Sequence, residues 1–369
     1  MVYKKLIWLL GIGTLLLAGC SEMNGASKLT TSSSMEEIKI RTNTNPAVYQ
    51  TTQEQANAIY EYPDLYTSAV EAQQQNKELG MYTIPGLLST ETLQTNQSNI
   101  LVNCAEMTPQ GVTVAGDYLL ISSYCHDHEH NSVVYVINKE THKYIKTIIL
   151  QGYPHVGGIT YDPIAENIWV CARYDQKAEI VAFPMTSLEK YNLNSKIQPI
   201  EYTQRVELPQ LKRASVITYA NKNIYIGYFD DLKEGVLETY PVDEKGNVSG
   251  ELSDEQKIHT TIDTDESEES VTIVRELQGI TFYKDKFLVT QSYGAFENSK
   301  LLIFNYKKEK EEFLDHDVEK VVELPAHAEQ ITAIDNQLYT IFESAAQPYR
   351  VIEKVWVDRV LSLDLEKLI

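Results

Sequence analysis

Cysteine is scarce, with four in 369 residues. Beyond Cys20 only Cys104, Cys125 and Cys171 remain, an odd number that rules out a disulfide framework and leaves room for one bridge or for free buried thiols. Positive charge is scarce too. Against 52 Asp and Glu stand 32 Lys and Arg, a formal net charge of −20, which argues against nucleic acid and anionic headgroups as partners and for solubility or attraction of cations. No Gly-x-Ser-x-Gly elbow, Gly-rich phosphate loop or Cys-x-x-Cys occurs, so no motif announces an enzyme class. Histidine is sparse as well, with eight in the chain, yet three fall within Cys-His-Asp-His-Glu-His, residues 125–130. What that hexapeptide does depends on where the fold puts it.

The N-terminus carries a marked apolar run, Leu6 to Leu17 behind Lys4 and Lys5. It is short for a spanning helix and suits a secretory signal. Leu17-Ala18-Gly19-Cys20 directly follows and resembles the lipobox of bacterial lipoproteins. The resemblance implies a signal peptide over 1–19, cleavage before Cys20 and acylation of Cys20. Several acyl chains on one residue would hold the protein to the bacterial cell membrane, facing the extracytoplasmic side. Residues 20–50, rich in Ser, Thr and Asn, read as the lipidated cysteine and a flexible tether. Residues 51–97 read as a helical or irregular segment, with one or two short helices broken near Pro63.

From Asn99 the chain becomes short β-branched and aromatic runs between turn signals. Five similar units begin near Gly111, Gly157, Ser215, Gln278 and Glu329, and align on a shared threonine: Thr113, Thr160, Thr218, Thr281 and Thr332. These lie about fifty to sixty residues apart, the span of a four-stranded propeller blade with loop insertions. The expected fold is therefore all-β, a β-propeller of five four-stranded blades over 98–369, with six blades if the N-terminal segment supplies one. The last unit ends after its third strand, so residues 98–106 are expected to add the fourth and close the ring.

Residues 134–170, from Val-Tyr-Val-Ile-Asn through Pro154-His155 to the Gly-Ile strand, resemble the YVTN-type propeller repeat. That resemblance implies a ligand-binding or scaffolding module, with a minority of enzymes in the group, and speaks more to fold than to function.

Within this frame 125–130 becomes the loop joining the second and third strands of the first blade. Strands alternate direction, so such loops share a face with the connections between blades. Counting back from the aligned threonines puts His155, Arg213, Glu276 and His327 in one register with Thr108, and Gln110, Gln278 and Glu329 two residues further on with Gly157 and Ser215. Alternate residues of an extended chain share a side, so both sets are expected to line the channel mouth as stacked rings. Second-strand ends add Tyr124, Arg173, Tyr174, Tyr228, Tyr293 and Glu343. Aromatic walls with a few convergent polar groups make a small-molecule site; a polar, water-filled lining would use the same residue types.

His126, His128 and His130, if extended, share one face that suits a divalent metal, against a plain solvated tip. The acidic run 264–270 reads as a solvated loop, or a weak calcium site. Lactonase-type propellers hold a divalent cation with an early Glu, where this chain has the neutral Gln110. A lyase or hydrolase would use His155 or Glu276 as base. The reading is a monomeric, lipid-anchored propeller binding a small polar ligand, a glycan or an envelope protein at its mouth; its alternatives are a lyase or hydrolase acting there and a pure interaction scaffold.

Overall fold

Five largely antiparallel sheets form the body of the protein, four of them built in chain order from the innermost strand outwards. The computed structural model describes residues 39–76, 79–95, 97, 100–192, 197–229, 235–251, 259–262, 276–292, 294–307, 312–313 and 317–369. Residues 1–19, Cys20, Tyr293 and the acidic run 264–270 lie outside them. Blade 1 comprises Met107–Ala115, Tyr118–Cys125, Val133–Asn138 and Tyr144–Ile149. Blade 2 comprises Ile159–Asp162, Asn167–Tyr174, Lys177–Pro184 and Gln204–Glu207. Blade 3 runs Val216–Ala220, Asn223–Gly227, Gly235–Pro241 and His259–Ile262, with Glu312–Phe313 added in parallel at its rim. Blade 4 holds Leu277–Tyr283, Lys286–Gln291, Ser299–Asn305 and Val318–Leu324. Blade 5 takes Ala328–Ile334, Gln337–Phe342 and Arg359–Asp364, and its fourth strand is Met81–Thr83. The chain is a five-bladed β-propeller.

Ring closure thus joins the two ends of the repeat region as expected, but through a different segment. Met81–Thr83 pairs with Arg359–Leu361, whereas Leu101–Cys104, inside the expected 98–106 strand, pairs with Thr90–Leu93 in a separate hairpin. The reason is reach. Blade 1's innermost strand starts at Met107, and the step from residue 104 to 107 spans at most roughly 11 Å. An outermost strand lies about three strand spacings, roughly 14 Å, from the innermost position.

Burial follows position within a blade. Middle strands have a neighbouring blade against each face, so they read as continuous apolar runs: all of Val133–Ile137 is buried. Each such side chain contributes about 1.5–3 kcal/mol relative to exposure. Rim strands have one face in water and alternate, as in Val318–Leu324. The innermost strands of successive blades adjoin, and the shared threonine helps hold them. Thr160 Oγ1 accepts from Tyr219 N at 2.9 Å, and Thr281 Oγ1 accepts from Ala333 N at 3.0 Å, each linking a blade to the next. Close approach there also explains Gly157, where a Cβ would sit 2.6 Å from the Ser215 carbonyl oxygen.

The N-terminal segment is bound to the propeller, contrary to the tether expected for its residues 39–50. Arg41 pairs with Glu91, its backbone N–H donating to Oε2 at 2.9 Å and its Nε to Oε1 at 2.6 Å. Val48 N and Tyr49 N donate to buried Asp358 Oδ2 at 2.8 and 2.9 Å, and Arg359 donates back to the Tyr49 carbonyl at 2.8 Å. Thr51 and Glu54 form a reciprocal cap on the helix Thr52–Ala58. Pro63 opens the second helical piece, Pro63–Tyr66. Among the described residues, no helix is long and apolar enough to cross a membrane.

Candidate functional site

Irregularities in the inner strands build the mouth. Register shifts fall between Pro109 and Gly111, Leu277 and Gly279, and Ala328 and Ile331. The unpaired residues at these bulges are Gln110, Gln278 and the Glu329-Gln330 pair. A bulge re-aims the side chain it displaces. Just before the inner strands, Glu276 and His327 hold left-handed backbone, with φ of 67° and 62°. The two expected rings of strict alternation are therefore not what the backbone makes: each position is aimed individually.

Glu343, at the end of blade 5's second strand, organises the deepest group. Its Oε2 accepts from Gln110 Nε2 at 2.6 Å, its Oε1 accepts from His327 Nδ1 at 3.0 Å, and all three side chains are buried. On the far side of the imidazole, Nε2 lies 2.7 Å from Glu353 Oε1, an ion-pair contact and not an aligned hydrogen bond. Burial works to lower the pKa of His327, but the hydrogen bond to Glu343 and the contact with Glu353 outweigh it and raise the value to about 9. Glu329, also buried, is pushed well above the usual carboxyl range by desolvation and then by the charge of Glu343.

Ring faces stand around this group. Tyr124 and His155 have centroids 4.1 Å apart, and His126 and His128 lie 6.0 and 5.7 Å from the same tyrosine. Tyr349 packs on His327 at 4.5 Å and edge-on to His126 at 5.6 Å. Burial pushes the Tyr124 phenol upward, with Glu343 adding to it. His155 is exposed at the surface, with one face of its ring against Tyr124. Desolvation takes its pKa down to about 4, partly opposed by Glu343 and reinforced by His128, His126 and Arg213. The exposure of the ring softens that penalty, and the lowered value leaves the imidazole neutral at pH 7.

Gln330 closes the channel beneath. Its Oε1 accepts from Val112 N at 3.0 Å and Ile159 N at 2.9 Å, and its Nε2 donates to the Ile159 and Ile217 carbonyls at 2.8 and 3.0 Å. One amide from blade 5 thus satisfies blades 1, 2 and 3. The room for it comes from glycine: a Cβ on Gly111 would meet Gln330 Oε1 at 2.8 Å.

Of the residues expected at the mouth, Gln110, His327 and Glu343 touch directly, and Glu329 joins them electrostatically. Tyr124 and His155 stack beside them, and the exposed Arg213 bears on His155 only through its charge. Arg173 is exposed and donates to Gln176 in its own turn. Glu276 is buried with its carbonyl accepting from Ser292 N at 3.2 Å, and Gln278 is half-buried. Tyr349 and Glu353, from the long connection 343–358, and Gln330 are additions the sequence reading missed.

The hexapeptide is indeed the loop between blade 1's second and third strands, but its histidines do not share a face. His128 has φ 58°, which breaks the extended run. His126 and His128 turn to Tyr124, while His130 Nδ1 lies 2.9 Å from Cys125 Sγ. Among the described residues, the group placed to hold a metal is Cys104, Cys125 and His130, not the three histidines.

No protein-family model and no curated protein matches this sequence. Solved structures offer distant likenesses. A GH43_1 enzyme from Xanthomonas citri complexed with xylose has 8% identity over 84% of this chain and 92% of its own, with a TM-score of 0.42. RS223 β-xylosidase has 9% identity over 70% and 91%, TM-score 0.41. A chain of the nidogen/laminin complex has 13% identity over 71% and 84%, TM-score 0.38. At such values the fold assignment stands on the sheet topology itself.

Proposed function

We propose that the chain is a lipid-anchored, extracytoplasmic propeller of the YVTN type whose mouth binds a small hydroxyl-rich ligand of the saccharide class. The observation carrying this is Glu343, held by Gln110 and His327 beside the ring faces of Tyr124, His155 and Tyr349. Polar groups fixed in direction beside aromatic faces suit a ligand with both hydroxyls and apolar C–H faces. Burial of the polar layer favours a small molecule over an envelope protein's surface. The anchor rests on the lipobox at Cys20, and the acidic net charge agrees with a task away from nucleic acid. A glycan and metabolite binding screen on the mature protein tests the reading: saccharide hits lost in Glu343→Gln support it, and a hit profile identical in the two proteins refutes it. For the anchor, Cys20→Ala should move the protein from the membrane fraction to the medium.

One observation favours a hydrolase acting at the same mouth: burial and the neighbouring Glu343 push the Glu329 carboxyl well above its ordinary range, as suits a general acid. On that reading Glu329→Gln abolishes turnover and spares affinity, whereas a binding module shows no turnover to lose.

A further inference from the structure

A second polar group lies beside the mouth and takes no part in it. Cys104, from the N-terminal hairpin, and Cys125, at the end of blade 1's second strand, are buried free thiols with sulfurs 3.1 Å apart. Cys125 Sγ is also 2.6 Å from Asp127 Oδ1 and 2.9 Å from His130 Nδ1. The carboxylate and imidazole are themselves 3.7 Å apart. A single S–H proton serves one acceptor well, yet three groups crowd this sulfur. One cation placed among Cys104, Cys125 and His130, whose donor atoms all lie within 4.8 Å of one another, would satisfy them together, with the Asp127 carboxylate beside it.

We infer that Cys104, Cys125, His130 and Asp127 form a closed structural site for one divalent cation of the zinc class. Two thiolates, an imidazole and a carboxylate are a donor set of borderline softness suited to zinc. Zinc–ligand bonds at tetrahedral angles put donors roughly 3.3–3.8 Å apart. Binding therefore requires Cys125 Sγ to draw back by a few tenths of an ångström or more from Cys104, His130 and Asp127, now 3.1, 2.9 and 2.6 Å away, and the exposed Asp127 to rotate onto the ion as fourth ligand. On binding, each thiol gives its proton to solvent and its sulfur lone pair to the metal, with no change of oxidation state. The surroundings already orient the donors. Glu129 N donates to Asp127 Oδ1 at 3.1 Å, as outer groups orient metal ligands. His130 forms a strand bridge with Gln94, and Asn131 N donates to the Leu93 carbonyl at 2.8 Å. The ion would therefore staple the N-terminal hairpin to the loop that carries His126 and His128 to the mouth.

The test uses the purified full chain, treated with reductant and chelator and then titrated with zinc or cobalt chloride alone. The expected result is one equivalent bound, the intense visible absorption of a tetrahedral cobalt–thiolate centre, and a zinc-dependent rise in Tm. His130→Ala and Asp127→Asn should weaken zinc binding at least tenfold, while a His126→Ala/His128→Ala double variant should bind as wild type. His130→Ala covers the case in which a cysteine variant fails to fold. Wild-type binding no tighter than that of His130→Ala would overturn the inference. So would a mass lower by two hydrogens in the presence of zinc, showing that the two sulfurs prefer a disulfide.

Discussion

His327 sits between two carboxylates, and that position sets a pH dependence. Its folded pKa, about 9 against an ordinary 6.5, is raised, so protonation favours the folded state. The stabilisation is fully present below pH 6.5 and is lost as pH climbs through about 9. For a buried group it is on the order of 3 kcal/mol. Urea midpoints measured across pH 6 to 10 should fall over that window. In Glu343→Gln the fall should shrink and finish at lower pH, because one of the two partners holding the proton is gone. A flat profile in the wild type would mean that His327 is neutral between its neighbours. This residue was legible as a mouth position from the repeat alignment, but its partner Glu353 was not, since nothing in the local pattern of 343–358 ties that loop to a repeat.

Elements show why some of the mouth could be read and some could not. The shared threonine that aligned the repeats has a physical task in at least two blades, accepting a backbone N–H from the next blade; a repeat survives as a pattern where every copy needs the same contact. The plug escaped notice even though its signal was present. Two residues before that threonine the blades carry Gly111, Gly158, Val216, Gly279 and Gln330, so one large polar residue stands among small or apolar ones. Bulges were not legible, because they depend on pairing across strands and not on composition, and they undo the alternation used to aim the rings. Gln330→Leu should therefore destabilise strongly, by on the order of 3–5 kcal/mol in chemical denaturation, since it strands buried N–H and C=O groups of three blades. Gln330→Glu loses the two donated bonds and should be no better. A change below about 1 kcal/mol for Gln330→Leu would contradict the plug.

At the scale of the whole molecule, the repeat spacing announced a ring of five and the missing last strand announced closure. The closing segment was misplaced because several short apolar runs precede blade 1, and only chain reach from Cys104 to Met107 decides among them. Boundaries follow from this. A chain starting at residue 98 retains every strand of the expected propeller but lacks Met81–Thr83 and the clasp of Val48 and Tyr49 on Asp358. It should expose the edge of Arg359–Asp364 and aggregate, whereas a chain starting at residue 37 should fold cooperatively. Equal thermal unfolding of the two would contradict the observed closure.

Distant residues matter here because the ring brings Gln110, His327 and Glu343 to one point. The most direct measurement is a calorimetric titration of the strongest saccharide hit into wild type, Glu343→Gln and a rim control, Val321→Thr. Affinity should be unchanged for the rim variant and fall about 10-fold or more for Glu343→Gln, the worth of charged hydrogen bonds at a buried site. Equal affinity in all three proteins would contradict this.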